Sequence, residues 1–197
     1  MSTREHILSA LRRAAPRHAP RPHPMMEWQT FEEPVAHFTR MLAEVGGTCV
    51  RVVHEDALRD SVSALEVVAK AERVASLVPE AHAGNVHLAG VEDPHDLASV
   101  EVAVLRGAFA VAENGAVWVQ CAALGARRAL LFVCQHLVLV VDPAVVVHTL
   151  HDAYARLRFE GPSFGSFVSG PSKTADIEQA LVIGAHGARS TTVFLVG

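Results

Sequence analysis

Between residues 35 and 196, segments with helical periodicity alternate with short runs of Val, Ala and Leu, and this alternation constrains the fold more than any other feature of the chain. Val35 to Val45 carries apolar side chains at helical spacing and stops at Gly46-Gly47, after which Thr48 to Val53 reads as a buried strand. Asp56 to Ala69 sets Leu58, Val62, Leu65 and Val68 on one helical face, and Arg73 to Val78 is the next strand. Repeated helix-to-strand alternation is the pattern of a parallel sheet with helices on its faces. The expected fold is a three-layer α/β domain with a mostly parallel sheet. Half of the 197 residues are hydrophobic but only 6% are aromatic, so the core must be built from Ala, Val and Leu, as closely packed parallel strands require.

The rest of the chain extends this reading. Residues 79–99, with Pro79, Gly84, Asn85, Gly90 and Pro94, read as loops around short strands. Val100 to Leu105, Phe109 to Ala112 and Val117 to Gln120 read as strands, and Asn114-Gly115 between the last two is the signal of a type I′ hairpin. Ala129 to Val133 and Leu137 to Val141 are strand-like runs that meet at Gln135-His136. Asp142-Pro143 opens the clearest helix, Ala144 to Leu157. Ser166 to Ser169 reads as a strand, a helix is expected to run from the Gly170-Pro171 turn through Ile183, and Thr192 to Val196 is the final strand.

At the other end, Ser2-x-x-Glu5 is a capping box that starts an amphipathic helix with a narrow stripe of Ile7, Leu8 and Leu11. Residues 16–24, PRHAPRPHP, cannot continue it. Residues 1–33 are therefore expected to form a helical arm and residues 34–197 the domain. The helix either folds back onto its own domain or docks on another chain.

Composition removes several function classes. The net charge of −4 offers no basic field for nucleic acid. The longest apolar runs, such as Ala129 to Val141, are too short and too interrupted to span a bilayer, and residues 2–15 are too charged for a signal peptide. A cytoplasmic location is expected. Cys49, Cys121 and Cys134 are odd in number and widely spaced, which points to neither a disulfide framework nor an iron–sulfur cluster held by this chain. His148 and His151 lie one turn apart on the expected helix, but zinc needs further donors, so no metal site is expected.

The chemistry concentrates in Gly170-Pro171-Ser172-Lys173-Thr174-Ala175-Asp176-Ile177-Glu178 and in Gly184-Ala185-His186-Gly187-Ala188-Arg189. A helix starting here would place Ser172, Lys173 and Thr174 at its positive end, where an anionic group binds. A phosphate-cradling loop from Gly165 to Gly170 fails, because Pro171 and Ser172 stand where that motif needs Lys and Ser or Thr. His186, between open backbone, is placed to face the same pocket as Asp176 and Glu178. His136, at a strand end, and Glu113, in the Asn114-Gly115 turn, complete the candidate catalytic set; the bland readings are a structural histidine and a simple hairpin.

The segment GPSKTADIEQALVIGAHGAR resembles the carboxyl-terminal signature of the LUD domain family, in its lactate utilisation protein C branch, and residues 107–117 and the His136 segment fall where that family has its central signatures. The resemblance implies a fold similar to those of ribose-5-phosphate isomerase, glucosamine-6-phosphate deaminase and CoA transferases. It also implies an accessory subunit, without clusters or any cofactor of its own, that works with iron–sulfur partner proteins in oxidising L-lactate to pyruvate. A second copy of the chain is another partner to consider. The alternative is a stand-alone isomerase, deaminase or transferase acting on a phosphosugar or acyl-CoA, with Glu113, Asp176, Glu178 or His136 as base or nucleophile. Asn114, Gly115, Gly170, Ser172, Lys173, Thr174 and His186 would then bind the ligand. The Glu113 turn, His136 and the Lys173 to Glu178 segment are expected to converge on one cleft at the carboxyl ends of the strands.

Overall fold

The computed structural model describes residues 2–14, 28–122, 124–158, 164–175 and 181–197. The first helix, α1 (Thr3–Ala14), starts on a reciprocal capping box: the Glu5 N–H donates to Ser2 Oγ and the Ser2 N–H to the Glu5 carboxylate. After α2 (Pro34–Glu44), with proline in its first turn, comes β1 (Thr48–Val52); α3 (Leu58–Ser63) and α4 (Glu66–Ala69) lead to β2 (Val74–Ser76) and β3 (Val102–Arg106). Then follow β4 (Phe109–Val111), β5 (Ala116–Gln120), α5 (Leu130–Val133), β6 (His136–Val141), β7 (Val146–Val147) and α6 (Leu150–Arg156). The chain ends with β8 (Gly165–Val168), β9 (Lys173–Ala175), β10 (Leu181–Ile183) and β11 (Ser190–Val196).

The central sheet is wholly parallel, in the order β1-β11-β6-β3-β2. Its strands alternate cleanly between two cores. Leu137, Leu139, Val193 and Leu195 face one core with Phe38 and Leu42 of α2 and Leu130 of α5, whereas Val138, Val140 and Phe194 face the other with Leu58, Val62 and Val68 of α3 and α4. Strands buried on both faces need apolar residues at every position, which is why β6 reads Leu-Val-Leu-Val-Val after its first residue. Full burial of Leu137, Leu139, Leu195 and Phe194, all at 0–1% exposure, contributes about 1.5–3 kcal/mol each.

A second sheet, β7-β4-β5-β8, shares the first core through Ala110, Val117 and Val119, and its outer face packs Phe109, Val111 and Trp118 against Ala153 of α6. The three-layer α/β reading holds, with this sheet and α6 added on one side.

Several expected elements differ. The helix expected after Gly170 is absent from the described residues: Lys173–Ala175 pairs antiparallel with Leu181–Ile183. Thr174, Val182 and Ile183 are β-branched and prefer that pairing, so the anion site argued from a helix terminus has no helix to supply it. Asp176 and Glu178 lie outside the described residues, as does the whole Pro-rich stretch 16–24. Ala129 to Val133 is not a strand, since Leu130–Val133 is a helical turn continuing a 3₁₀ segment from Gly125; a five-residue apolar run carries too few residues to fix its period.

The helix expected from Ala144 starts only at Leu150. Val146 and Val147 pair with Ala110 and Val111, and Thr149 with Asp152 forms a capping box that sets the start. Asp56 to Ala69 is broken into two helices at Leu65, whose backbone is extended (φ −61°, ψ 127°). The β4–β5 connection is not a two-residue type I′ turn: Ala112–Asn114 forms a 3₁₀ turn and Gly115 alone is left-handed.

Candidate functional site

Two of the singled-out turns meet at the carboxyl-terminal end of α2. In the first, Gly115 has φ +65°, and a Cβ there would sit 2.5 Å from the Leu42 backbone nitrogen. Only glycine fits, and the turn is thereby pressed onto α2. Its polar groups are committed locally. The Glu113 N–H donates to the His148 carbonyl at 2.9 Å. A Glu113 carboxylate oxygen accepts the Leu150 N–H at 2.8 Å, at the start of α6. The Asn114 Oδ1 accepts the Ala116 N–H, and its carbonyl accepts Ser169 Oγ at 2.7 Å.

That last bond joins the first turn to the second. Gly170, with φ +70°, lies where a Cβ would come 2.6 Å from the Val45 carbonyl oxygen. Pro171 and the stem of Lys173 lie over Gly46, and the side chain of Ser172 lies beside Gly187. The Ser172 N–H donates to the Ala188 carbonyl and its own carbonyl accepts the Gly184 N–H. Thr174 is half-buried, while Lys173 and His186 are exposed. Asn114, Gly115, Gly170, Ser172 and Lys173 thus belong to one continuous packed surface. Because Gly46 precedes β1 and Ala188 precedes β11, the Gly170–Lys173 part lies at the amino ends of the parallel strands.

His136 does not join them. It opens β6, opposite Ser190 and Val102 in the sheet register, and belongs to the alternation of Val138 and Val140 on the α4 side of the sheet. Its Nδ1 lies 2.8 Å from Ser190 Oγ, and it lines a cleft of about 200 Å³ with Glu66, Lys70 and Glu101. Burial, reinforced by the Arg189 guanidinium and opposed by Glu101, holds its imidazole below the ordinary value. The expected convergence of Glu113, His136 and the Lys173 segment on one carboxyl-end cleft is therefore replaced by two separate surfaces.

The carboxyl-end crevice exists and is lined by residues that the motif reading missed. A cavity of about 160 Å³ is bounded by Glu55, Glu80, Arg106, Asp142 and apolar neighbours. Arg106 pairs with Glu80, and Asp142 accepts the Ala144 N–H. Their signal in the sequence was a charged residue placed directly after a buried strand, as Arg106 follows Val102–Leu105 and Asp142 follows Leu137–Val141.

The histidines of the α6 region hold an incoming segment. His148 Nδ1 accepts the Phe31 N–H at 3.0 Å, and His151 stacks on Trp28 with ring centroids 3.4 Å apart. Among the described residues no group of three or more His, Cys, Asp or Glu side chains is placed to hold a metal. Cys49, Cys121 and Cys134 are free thiols. Burial raises all three, Cys134 to about 12, which disfavours the thiolate that metal ligation needs.

The LUD domain profile matches residues 70–196, which include the 107–117 segment, His136 and the whole Gly170 to Arg189 stretch. The chain belongs to the LUD domain family. The crystal structure of a DUF162 family protein from Deinococcus radiodurans superposes on this LUD domain protein with a TM-score of 0.59 at 18% identity, covering 84% of this chain and 97% of that one. Identity that low speaks to the fold alone. No curated protein matches the sequence significantly.

Proposed function

We propose that this LUD domain protein is the cluster-free accessory subunit, of the lactate utilisation protein C type, in a cytoplasmic iron–sulfur system that oxidises L-lactate to pyruvate. The observation that carries this reading is the family match over residues 70–196, with the Gly170 to Arg189 signature inside it. Oxidation of lactate releases two electrons and two protons, and the electrons need a redox centre. Three thiols raised by burial and dispersed over the fold are poor cluster ligands, which favours placing the iron–sulfur centres on partner polypeptides. Lys173, exposed beside a rigid turn, supplies a positive charge for an anionic group of substrate or partner.

The reading as a stand-alone transferase draws less support. A nucleophilic carboxylate must be able to leave its hydrogen bonds and attack, whereas Glu113 is bound to the first N–H of α6. The test is a tagged pull-down from lactate-grown source cells, with mass spectrometry and an iron assay on the eluate, followed by lactate-dependent dye reduction. Co-purification of cysteine-rich, iron-bearing polypeptides whose dye reduction requires this chain is the expected result. Recovery of the chain alone, with full lactate oxidation in cells lacking it, would overturn the proposal.

A further inference from the structure

Among the described residues two apolar surfaces are left uncovered, and they match. Helix α1 has no buried residue; Ile7 and Leu11 of its stripe are 54% and 62% exposed. Across the fold, Pro94, Ala126, Ala129, Phe132 and Phe164 line a hollow of about 360 Å³. A second hollow of about 350 Å³ continues from Phe164 along Phe167, Leu157 and Tyr154. Phe132, Phe164 and Tyr154 are 48%, 44% and 62% exposed, so three aromatic side chains stand open along one groove. Large apolar side chains gathered in a concave strip mark a contact surface.

Charge and tether both point to α1 as the occupant. The helix carries Arg4, Arg12 and Arg13 against one acid, Glu5. The groove has both Glu92 and Arg128 on its wall, with the Arg128 guanidinium 6.0 Å from the Phe164 ring centroid, and Asp93 and Asp96, exposed beside Pro94, leave that side acidic on balance. Trp28 stacks on His151 of α6, and Tyr154 of the groove lies one turn further along that helix. The chain from Ala14 to Trp28 spans at most roughly 50 Å when extended. It starts beside the groove and is long enough to enter a neighbouring one. Among the described residues of the single chain, nothing covers Ile7 and Leu11 of the stripe or the aromatic side chains of the groove.

We propose that α1 of one copy seats its Ile7–Leu8–Leu11 stripe in the Phe132–Phe164–Tyr154 groove of a second copy, and receives the second copy's α1 in return. The exchange is isologous and closes at two chains, so it covers both surfaces without leading to a polymer.

Light scattering after size exclusion, on the full chain and on the Ile7→Asp/Leu11→Asp variant, tests this. Both changes are at exposed positions, and circular dichroism monitors the fold. The full chain is expected to elute as a dimer, and the variant to need at least tenfold more protein to dimerise. Phe164→Asp should weaken the dimer likewise from the groove side. Mixing Leu11→Cys chains with Phe132→Cys chains under mild oxidation should give a crosslink between the two. A full chain that stays monomeric, a dimer indifferent to Ile7→Asp/Leu11→Asp, or a Leu11→Cys/Phe132→Cys double variant that crosslinks only within one chain would each overturn the exchange.

Discussion

The two turns that rest on the end of α2 are built alike in backbone and used differently in side chain. Gly115 and Gly170 each bring a left-handed residue within a Cβ's width of backbone at the end of α2, at Leu42 in its last turn and at Val45 just after it. The Glu113 turn then directs its carboxylate and amide into neighbouring backbone, at Leu150, Ala116 and His148. The Gly170 turn satisfies its backbone through Ala188 and Gly184 and leaves the Lys173 side chain exposed. One turn is a joint that consumes its polar groups, and the other is a joint that presents one. Chemical residue types in a motif thus say little until the geometry shows which atoms are already engaged.

The largest effect should come from the shared part of the design. Gly115→Ala puts a Cβ 2.5 Å from the Leu42 backbone of α2 and Gly170→Ala puts one 2.6 Å from the Val45 carbonyl just after α2, both at positive φ, and each is expected to cost about 3 kcal/mol or more. Gly46→Ala, at φ +82° but with its nearest neighbour 3.6 Å away, should cost only about 1–2 kcal/mol. Urea unfolding of the three variants checks the ranking; equal losses at Gly115 and Gly46 would mean that the close approach to α2 does not fix the turn.

The next pair separates the turns. Glu113→Ala removes an acceptor from the start of α6 and should cost about 1 kcal/mol. Lys173→Ala should change stability by less than about 0.5 kcal/mol. In lactate-dependent dye reduction by the reconstituted assembly the order should reverse, with Lys173→Ala the more damaging. Loss of all turnover in a stably folded Glu113→Ala protein would return that carboxylate to a catalytic role and break the comparison.

How much of this was legible beforehand follows from which forces are local. The buried strands β3, β6 and β11 declare themselves because both faces demand apolar residues, so the run itself is the signal. The reciprocal Ser2–Glu5 cap was legible for the same reason, since its partners are three residues apart. The helix expected after Gly170 was not a safe reading: the Gly170-Pro171 turn is a local signal, but the pairing of Thr174 with Val182 comes from strand contacts whose stability is tertiary. The candidate site was legible only as a set of residues. That Asn114 would join Ser169 across 55 positions, while His136 turned to the other face of the sheet, depends on strand order and register. No local spacing records either.

The smallest effect concerns His136, the singled-out residue that lies away from both turns. Its imidazole is held below the ordinary value, first by burial and then by Arg189, with Glu101 acting against them. Well above the ordinary value of about 6.5, folded and unfolded chains are both neutral there and the residue adds no pH dependence. As pH falls through that value the unfolded chain takes up its proton first, so the folded state loses stability until the depressed folded value is passed, below which the loss is constant. The wild-type urea midpoint should therefore drop further than that of His136→Gln on moving from about pH 7.5 to about pH 5.5. Glutamine keeps an acceptor for Ser190 but cannot titrate, and the remaining histidines are common to both proteins, so the difference reports His136 alone. If the two midpoints fall in parallel, the α4-side cleft does not resist protonation, and the contrast between a neutral imidazole on one face and an exposed ammonium on the other loses its electrostatic content.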